Sequence, residues 1–157
     1  DLGYPLEVTP MSTPISALLE RKGQHIYSVP SSSSVAEAVE TMNRFRVGSI
    51  LVVDGGLLAG IFTERDVLRR VVGQGLDPWT TEVAGVMTSG VITISPEASI
   101  EDAAQLFTEK RCRHLPVVDH GHLVGTISIG DVTRWYADLH RAEAEHLKNY
   151  IAGVLSA

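Results

Sequence analysis

Two short stretches carry residue types able to do chemistry: Thr63-Glu64-Arg65-Asp66 and Ser128-Ile129-Gly130-Asp131. Each puts a hydroxyl three residues before a carboxylate, where an apolar run gives way to helical spacing. A helix starting there leaves its first-turn amides without intrahelical partners, and its dipole favours an anion. The hydroxyl of Thr63 or Ser128 can add a donor to such an anion. The carboxylate of Asp66 or Asp131, one turn in, can accept from neighbouring hydroxyls. The same spacing is also an N-terminal capping signature, in which these side chains serve only their own helix. Both readings stand at this level. Arg65, Arg69 and Arg70 follow the first stretch and Arg134 the second. A planar guanidinium can grip a phosphate bidentately, or simply face solvent.

The elements that must position these groups are set by a duplication. Val52–Val67 reappears as Val117–Val132, offset by 65 without a gap, with 8 of 16 positions identical. Any site built on one copy should have a counterpart on the other. The first copy reads as a strand over His25–Val29, a cap at Ser34 with Glu37 three residues on, and a helix whose face carries Val35, Ala38, Val39, Met42 and Phe45. A strand over Gly48–Val53, a turn at Asp54-Gly55-Gly56 and a return strand over Leu57–Phe62 follow. A second helix runs from the Thr63 stretch to about Val72. The second copy repeats the order: a strand over Val91–Ile94, a cap at Ser99, a helix with Ile100, Ala103, Ala104 and Phe107 on one face, strands over Leu115–Val118 and Leu123–Ile127 around Asp119-His120-Gly121, and the Ser128 helix. Each copy alone has a marginal core, so the two should pack together.

Outside the copies, Thr13–Lys22 reads as a leading helix with Ile15, Leu18 and Leu19 apolar, and Gly73–Glu82 as a linker. The helical pattern after Tyr136 runs to about Leu155, with Leu139, Leu147, Tyr150, Ile151, Val154 and Leu155 as its stripe. The expected division is 12–77, 78–138 and 139–157. Hydrophobic residues make up 44% and charged residues 20%, an ordinary globular composition. The net charge of −6 argues against a non-specific nucleic-acid binder. Cys112 is the only cysteine, which excludes an internal disulfide and a cysteine zinc site and fits a reducing, cytoplasmic setting. No apolar run approaches the ~20 residues that cross a bilayer. No signal peptide is legible, and a larger parent protein is compatible with the sequence.

The tandem β-α-β-β-α unit, the Val-Val-Asp-x-Gly turns, Gly60-Ile61-Phe62-Thr63-Glu64-Arg65-Asp66, Gly125-Thr126-Ile127-Ser128-Ile129-Gly130-Asp131 and Arg113-His114-Leu115-Pro116-Val117-Val118-Asp119 together resemble a pair of CBS domains, or Bateman module. The resemblance spans roughly Ile15 to Leu139. It implies an α/β fold of two pseudo-symmetrically packed repeats with flanking N- and C-terminal helices. It implies a regulatory module without catalysis of its own, assembled as a homodimer and binding an adenosine-containing ligand. AMP is the first expectation, NAD the second, with ADP, ATP and S-adenosylmethionine as alternatives. Asp66 or Asp131 would hold the ribose, facing away from the phosphates. By the family pattern, the Asp131 cleft would draw on Ile26, Tyr27, Val47 and Gly48, with Arg113, His114, Pro116, Thr126, Ser128, Gly130 and Arg134. The Asp66 cleft would draw on Thr63, Arg65, Arg69, Val91, Ile92 and Cys112. Gly130 stands where the first copy has Arg65, so the two clefts should differ. The output would pass to an unidentified partner protein, with no nucleic acid and no membrane involved. The rival expectation is a ligand-free structural or dimerisation unit in which the junctions only cap.

Other signals are discounted. His120 and His122 flank a turn glycine, and His140 and His146 are too far apart for paired ligands. Phosphate-loop and dinucleotide fingerprints are absent. Cys112 lacks an assigned base, and Trp79 and Trp135 read as packing or interface residues.

Overall fold

A computed structural model describes residues 13–23 and 26–155. In chain order these form α1 (Ile15–Lys22), β1 (Ser28–Val29), α2 (Val35–Phe45), β2 (Ser49–Asp54), β3 (Leu57–Thr63), α3 (Glu64–Asp66, continuing as a π-helix over Val67–Val72), α4 (Ile100–Lys110), β4 (His114–Asp119), β5 (His122–Ser128) and α5 (Ile129–Leu155). The fold is mixed α/β, as expected. The duplication holds element by element: α2, β2 and β3 reappear as α4, β4 and β5 with every boundary moved by 65. Even the caps repeat. Ser34 accepts from the Glu37 amide while Glu37 reaches back, and Ser99 does the same with Asp102. Arg46 and Arg111 both end their helices in the left-handed region, at φ 54° and 51°.

Two strands differ from expectation. In the first copy only Ser28 and Val29 pair, parallel to Leu51 and Val52. Pro30 follows and has no N–H to continue a ladder, and His25 lies outside the described residues. The strand expected over Val91–Ile94 does not form; Ile94 alone makes a bridge. The physical reason lies just upstream. Thr88 and Ile61 exchange two hydrogen bonds of 2.9 Å, and Gly90, at φ 68°, then turns the chain away before a ladder can grow.

The chain divides into two compact units. One holds residues 26–93 and Pro116–Gly125. It contains β1, β2 and β3 with Pro116–Asp119 of β4 and His122–Gly125 of β5; in the strand order β1-β2-β3-β5-β4, β2 and β3 are antiparallel and Leu57 of β3 lies opposite His122 of β5. Ile50, Leu51 and Val52 are buried in succession, so both faces of β2 are covered. Val35, Ala38 and Met42 of α2 close the core with Phe62, Val71, Val83 and Val86. Gly60 is needed for close approach: a Cβ there would sit 2.7 Å from both the Met87 sulfur and the Thr88 carbonyl oxygen. The bare backbone lets residues 87–88 lie against β3.

The other unit joins α1 to Ile94–Leu115 and to the chain from Thr126 on. Ile15, Leu18 and Leu19 of α1 are buried, as are Ile100, Ala103 and Phe107 of α4 and Val132 of α5. Bonds from the Ile15 amide to the Ala98 carbonyl and from the Ile100 amide to the Thr13 carbonyl tie α1 to the start of α4. The leading helix therefore packs with second-copy elements, although in sequence it precedes the first. Beyond His140, α5 is exposed on every side through Gly153. The side chains of Val154 and Leu155 lie outside what is described.

Candidate functional site

At the first junction Thr63 caps α3. Its hydroxyl accepts from the Asp66 amide at 3.2 Å, and Asp66 Oδ2 accepts from the Thr63 amide at 3.1 Å. Asp66 is only 6% exposed. The Thr88 hydroxyl sits 3.2 and 3.3 Å from its two oxygens, and Arg70 Nε is 3.6 Å from Oδ1. Arg70 Nη1 in turn donates to the Met87 carbonyl at 2.9 Å. The carboxylate is thus held by its own cap, by residues 87–88 and by a cation one turn on. Arg65 and Arg69 are exposed.

The second junction has the same cap and a different surrounding. Ser128 Oγ accepts from the Asp131 amide at 3.1 Å, and Asp131 Oδ2 accepts from the Ser128 amide at 2.8 Å. The same Oδ2 accepts from Lys22 Nζ at 2.7 Å, and Lys22 also donates to the Thr126 carbonyl at 2.9 Å. Asp131 Oδ1 has no donor within hydrogen-bonding distance among the described residues; its nearest cation, Arg134, stands 4.0 Å away. A cavity of about 260 Å³ opens here, lined by Leu18, Arg21, Lys22, Asp131, Arg134, Trp135 and Asp138. That is just below the roughly 300–1,000 Å³ of small-molecule sites, room for a sugar and a phosphate. Arg21 closes one wall, paired with Asp138 and lying 5.3 Å over the Trp135 ring. The Trp135 indole nitrogen is buried, and among the described residues it has no hydrogen-bond partner.

The electrostatics follow from this arrangement. Burial alone would raise the Asp131 carboxyl; the Lys22 hydrogen bond, the Ser128 amide and the Lys22 charge outweigh it and hold the group below its ordinary value. His114 is lowered by desolvation first and by Lys22 second, against an opposing pull from Asp131, with Arg113 adding to the lowering. A histidine held low disfavours its charged form in the folded state. Its cost is absent above the ordinary 6.5 and grows as pH falls, because the unfolded chain then binds a proton more readily. Asp131 acts later: its contribution is complete above 3.8 and is lost as pH falls through the depressed folded value. We expect urea denaturation to show a drop in stability between about pH 7 and 5.5 that is smaller in His114→Gln. Equal drops in both proteins would contradict this. His114 retains solvent contact, so the difference is modest.

A family model described as the CBS domain matches residues 8–73 and 83–138. The chain belongs to the CBS domain family. It is 38% identical over 151 residues to the mitochondrial CBS domain-containing protein CBSX3 of Arabidopsis thaliana, covering 90% of this chain and 73% of that one. The CBS-domain containing protein ATU1752 from Agrobacterium tumefaciens superposes with a TM-score of 0.68 at 36% identity, over 78% of this chain and 98% of that chain. A CBS domain protein from Pyrobaculum aerophilum, PAE2072, solved in complex with AMP, superposes with a TM-score of 0.65 at 28% identity, over 75% and 88%.

In this CBS chain the remaining expected residues fall as follows. Thr126, Ser128, Asp131 and Arg134 gather at the cavity or beside it, and His114 feels its charges. The Arg113 carbonyl accepts from the Ile129 amide at 3.0 Å, which anchors the start of α5. Gly130 has no steric need to be glycine, since a Cβ would meet only Ser128 Oγ at an ordinary 3.6 Å. Cys112 is half-buried, its thiol 3.9 Å from the Leu106 carbonyl. Ile26, Tyr27, Val47, Gly48 and Pro116 belong to the other unit. There Tyr27 stacks on Phe45 with centroids 4.2 Å apart, and Pro116 is fully buried. Gly48 offers its carbonyl to the Glu64 amide at 3.0 Å. Val91 lines a second cavity of about 270 Å³ in that unit with Leu58, Ala59 and Val118, while Ile92 is exposed. Sequence reasoning missed Arg21, Lys22 and Asp138. The available signal was a pair of cations in the last turn of a leading helix, where the dipole favours positive charge.

Proposed function

We propose that the chain is a regulatory module that binds an adenosine phosphate, AMP first, at the Asp131 cavity. The observation that carries this reading is the half-used carboxylate. Asp131 Oδ1 is an open acceptor in a cavity whose walls hold Arg21, Lys22 and Arg134. An acceptor for a ribose hydroxyl beside cations for a phosphate is the chemistry a nucleotide requires. The AMP complex of the Pyrobaculum relative supports the same ligand class. Bound ligand would alter the ion pairs that join α1 to α5, and so change what the helices present to a partner protein. NAD, ADP, ATP and S-adenosylmethionine remain alternative ligands. The reading assigns no reaction to the chain. It makes the chain a homodimer, with exposed Leu147, Tyr150 and Ile151 available for contact, and places it in the cytoplasm.

Calorimetric and thermal-shift titration with this ligand set is the test. Ligand at 100 times its Kd should add about 2.7 kcal/mol of stability. Silence toward every one of them would favour the second reading, a structural unit whose junctions only cap. The closed environment of Asp66 is the observation on that side.

A further inference from the structure

We infer that Lys22 is the charge selector of the Asp131 cavity: it occupies Asp131 when the cavity is empty and passes to the ligand's phosphate when a ribose takes its place. This rests on the function proposed above and adds a residue to it.

A carboxylate oxygen accepts about two hydrogen bonds. Asp131 Oδ2 already takes the Ser128 amide at 2.8 Å and Lys22 Nζ at 2.7 Å, while Oδ1 has only Arg134 at 4.0 Å. Oδ1 is therefore open to a hydroxyl without displacing any partner. A vicinal diol that spans the carboxylate, one hydroxyl on each oxygen, displaces Lys22 from Oδ2, because the Ser128 amide is fixed by the helix cap. Lys22 can give way without losing every partner. Its second bond goes to the Thr126 carbonyl at 2.9 Å, and its side chain is 30% exposed on a flexible stem. The released ammonium remains at the wall of the same cavity, beside Arg21 and Arg134. A ligand with a phosphate compensates the lost ion pair; a bare nucleoside leaves the cation without an anion. Selection by phosphate thus resides in α1, which has no counterpart among the duplicated elements.

Calorimetry with adenosine and with AMP on the wild type and Lys22→Gln tests this. AMP should weaken about tenfold in the variant while adenosine holds its affinity or tightens. Lys22→Met is the second variant should the glutamine form not fold, and Lys22→Arg should retain the preference for AMP. Equal weakening of both ligands would mean that Lys22 only supports α1, and the proposal falls. Unchanged affinity for AMP overturns it as well. A wild type that binds neither ligand removes the proposed function and this selector together, whereas a wild type that binds both, with equal weakening of the two in the variant, removes the selector alone.

Discussion

Asp131→Asn is expected to weaken AMP binding about 100-fold, corresponding to two hydrogen bonds to a charged acceptor replaced by neutral ones. The substitution is nearly isosteric, and the asparagine oxygen can still accept from the Ser128 amide, so the start of α5 should survive. What it removes is the charge that two ribose hydroxyls would share. The stability change should be small, about 1 kcal/mol, because Lys22 is partly solvated and keeps the Thr126 carbonyl. Calorimetry gives the binding constant and urea denaturation the stability. Affinity within about threefold of the wild type would show that Asp131 does not hold the ligand. Large unfolding with unaltered affinity in the folded fraction would make the residue structural.

Asp66→Ala should behave in the opposite way, with its principal effect on stability. The substitution removes a cap acceptor, typically worth about 1 kcal/mol, and leaves the Thr88 hydroxyl and the Thr63 amide without their partner at a buried position. Arg70 loses its ion pair as well. The expected loss is about 2–4 kcal/mol, read as a lower urea midpoint at unchanged slope. Thr88→Val, which removes one of these partners, should reproduce part of it. A loss below about 0.5 kcal/mol in Asp66→Ala would mean that residues 86–88 are held against β3 by the Ile61–Thr88 bonds and the Gly60 contact alone. The two carboxylates occupy equivalent positions in the duplication. Their separate outcomes come from what lies against them: residues 87–88 at one, the end of α1 at the other.

Much of the fold was legible because the signals are local. Serine three residues before an acid starts α2 and α4 wherever the chain lies in space, since the cap is made within one turn. The Asp54-Gly55-Gly56 and Asp119-His120-Gly121 turns depend on backbone freedom at two positions, and φ is positive at Gly55, Gly56, His120 and Gly121. The strand expected over Val91–Ile94 was misread because its composition is strand-like while its pairing depends on a distant edge. Thr88 makes that pairing, and Gly90 ends it. The π-helix over Val67–Val72 ends at Gly73, where the second copy has Asp138; a Cβ at Gly73 would lie 2.9 Å from the Arg69 carbonyl oxygen. The Thr63 and Ser128 spacing fits a cap and a binding group alike, and only the family resemblance favours binding, because a cap motif reports on its own helix and says nothing of which side chains approach the carboxylate from elsewhere.

The sequence by itself determined the duplication, the helix caps, the hairpin turns and the two hydroxyl–carboxylate junctions. Each of these is encoded in a few neighbouring residues whose geometry closes over a single turn. Only the tertiary structure decided that Lys22 reaches across 109 positions to Asp131 and that Thr88 reaches Asp66. Ion pairs and hydrogen bonds of this kind fall off within a few ångströms, and which groups come that close is set by how helices and strands pack, a matter on which spacing along the chain is silent.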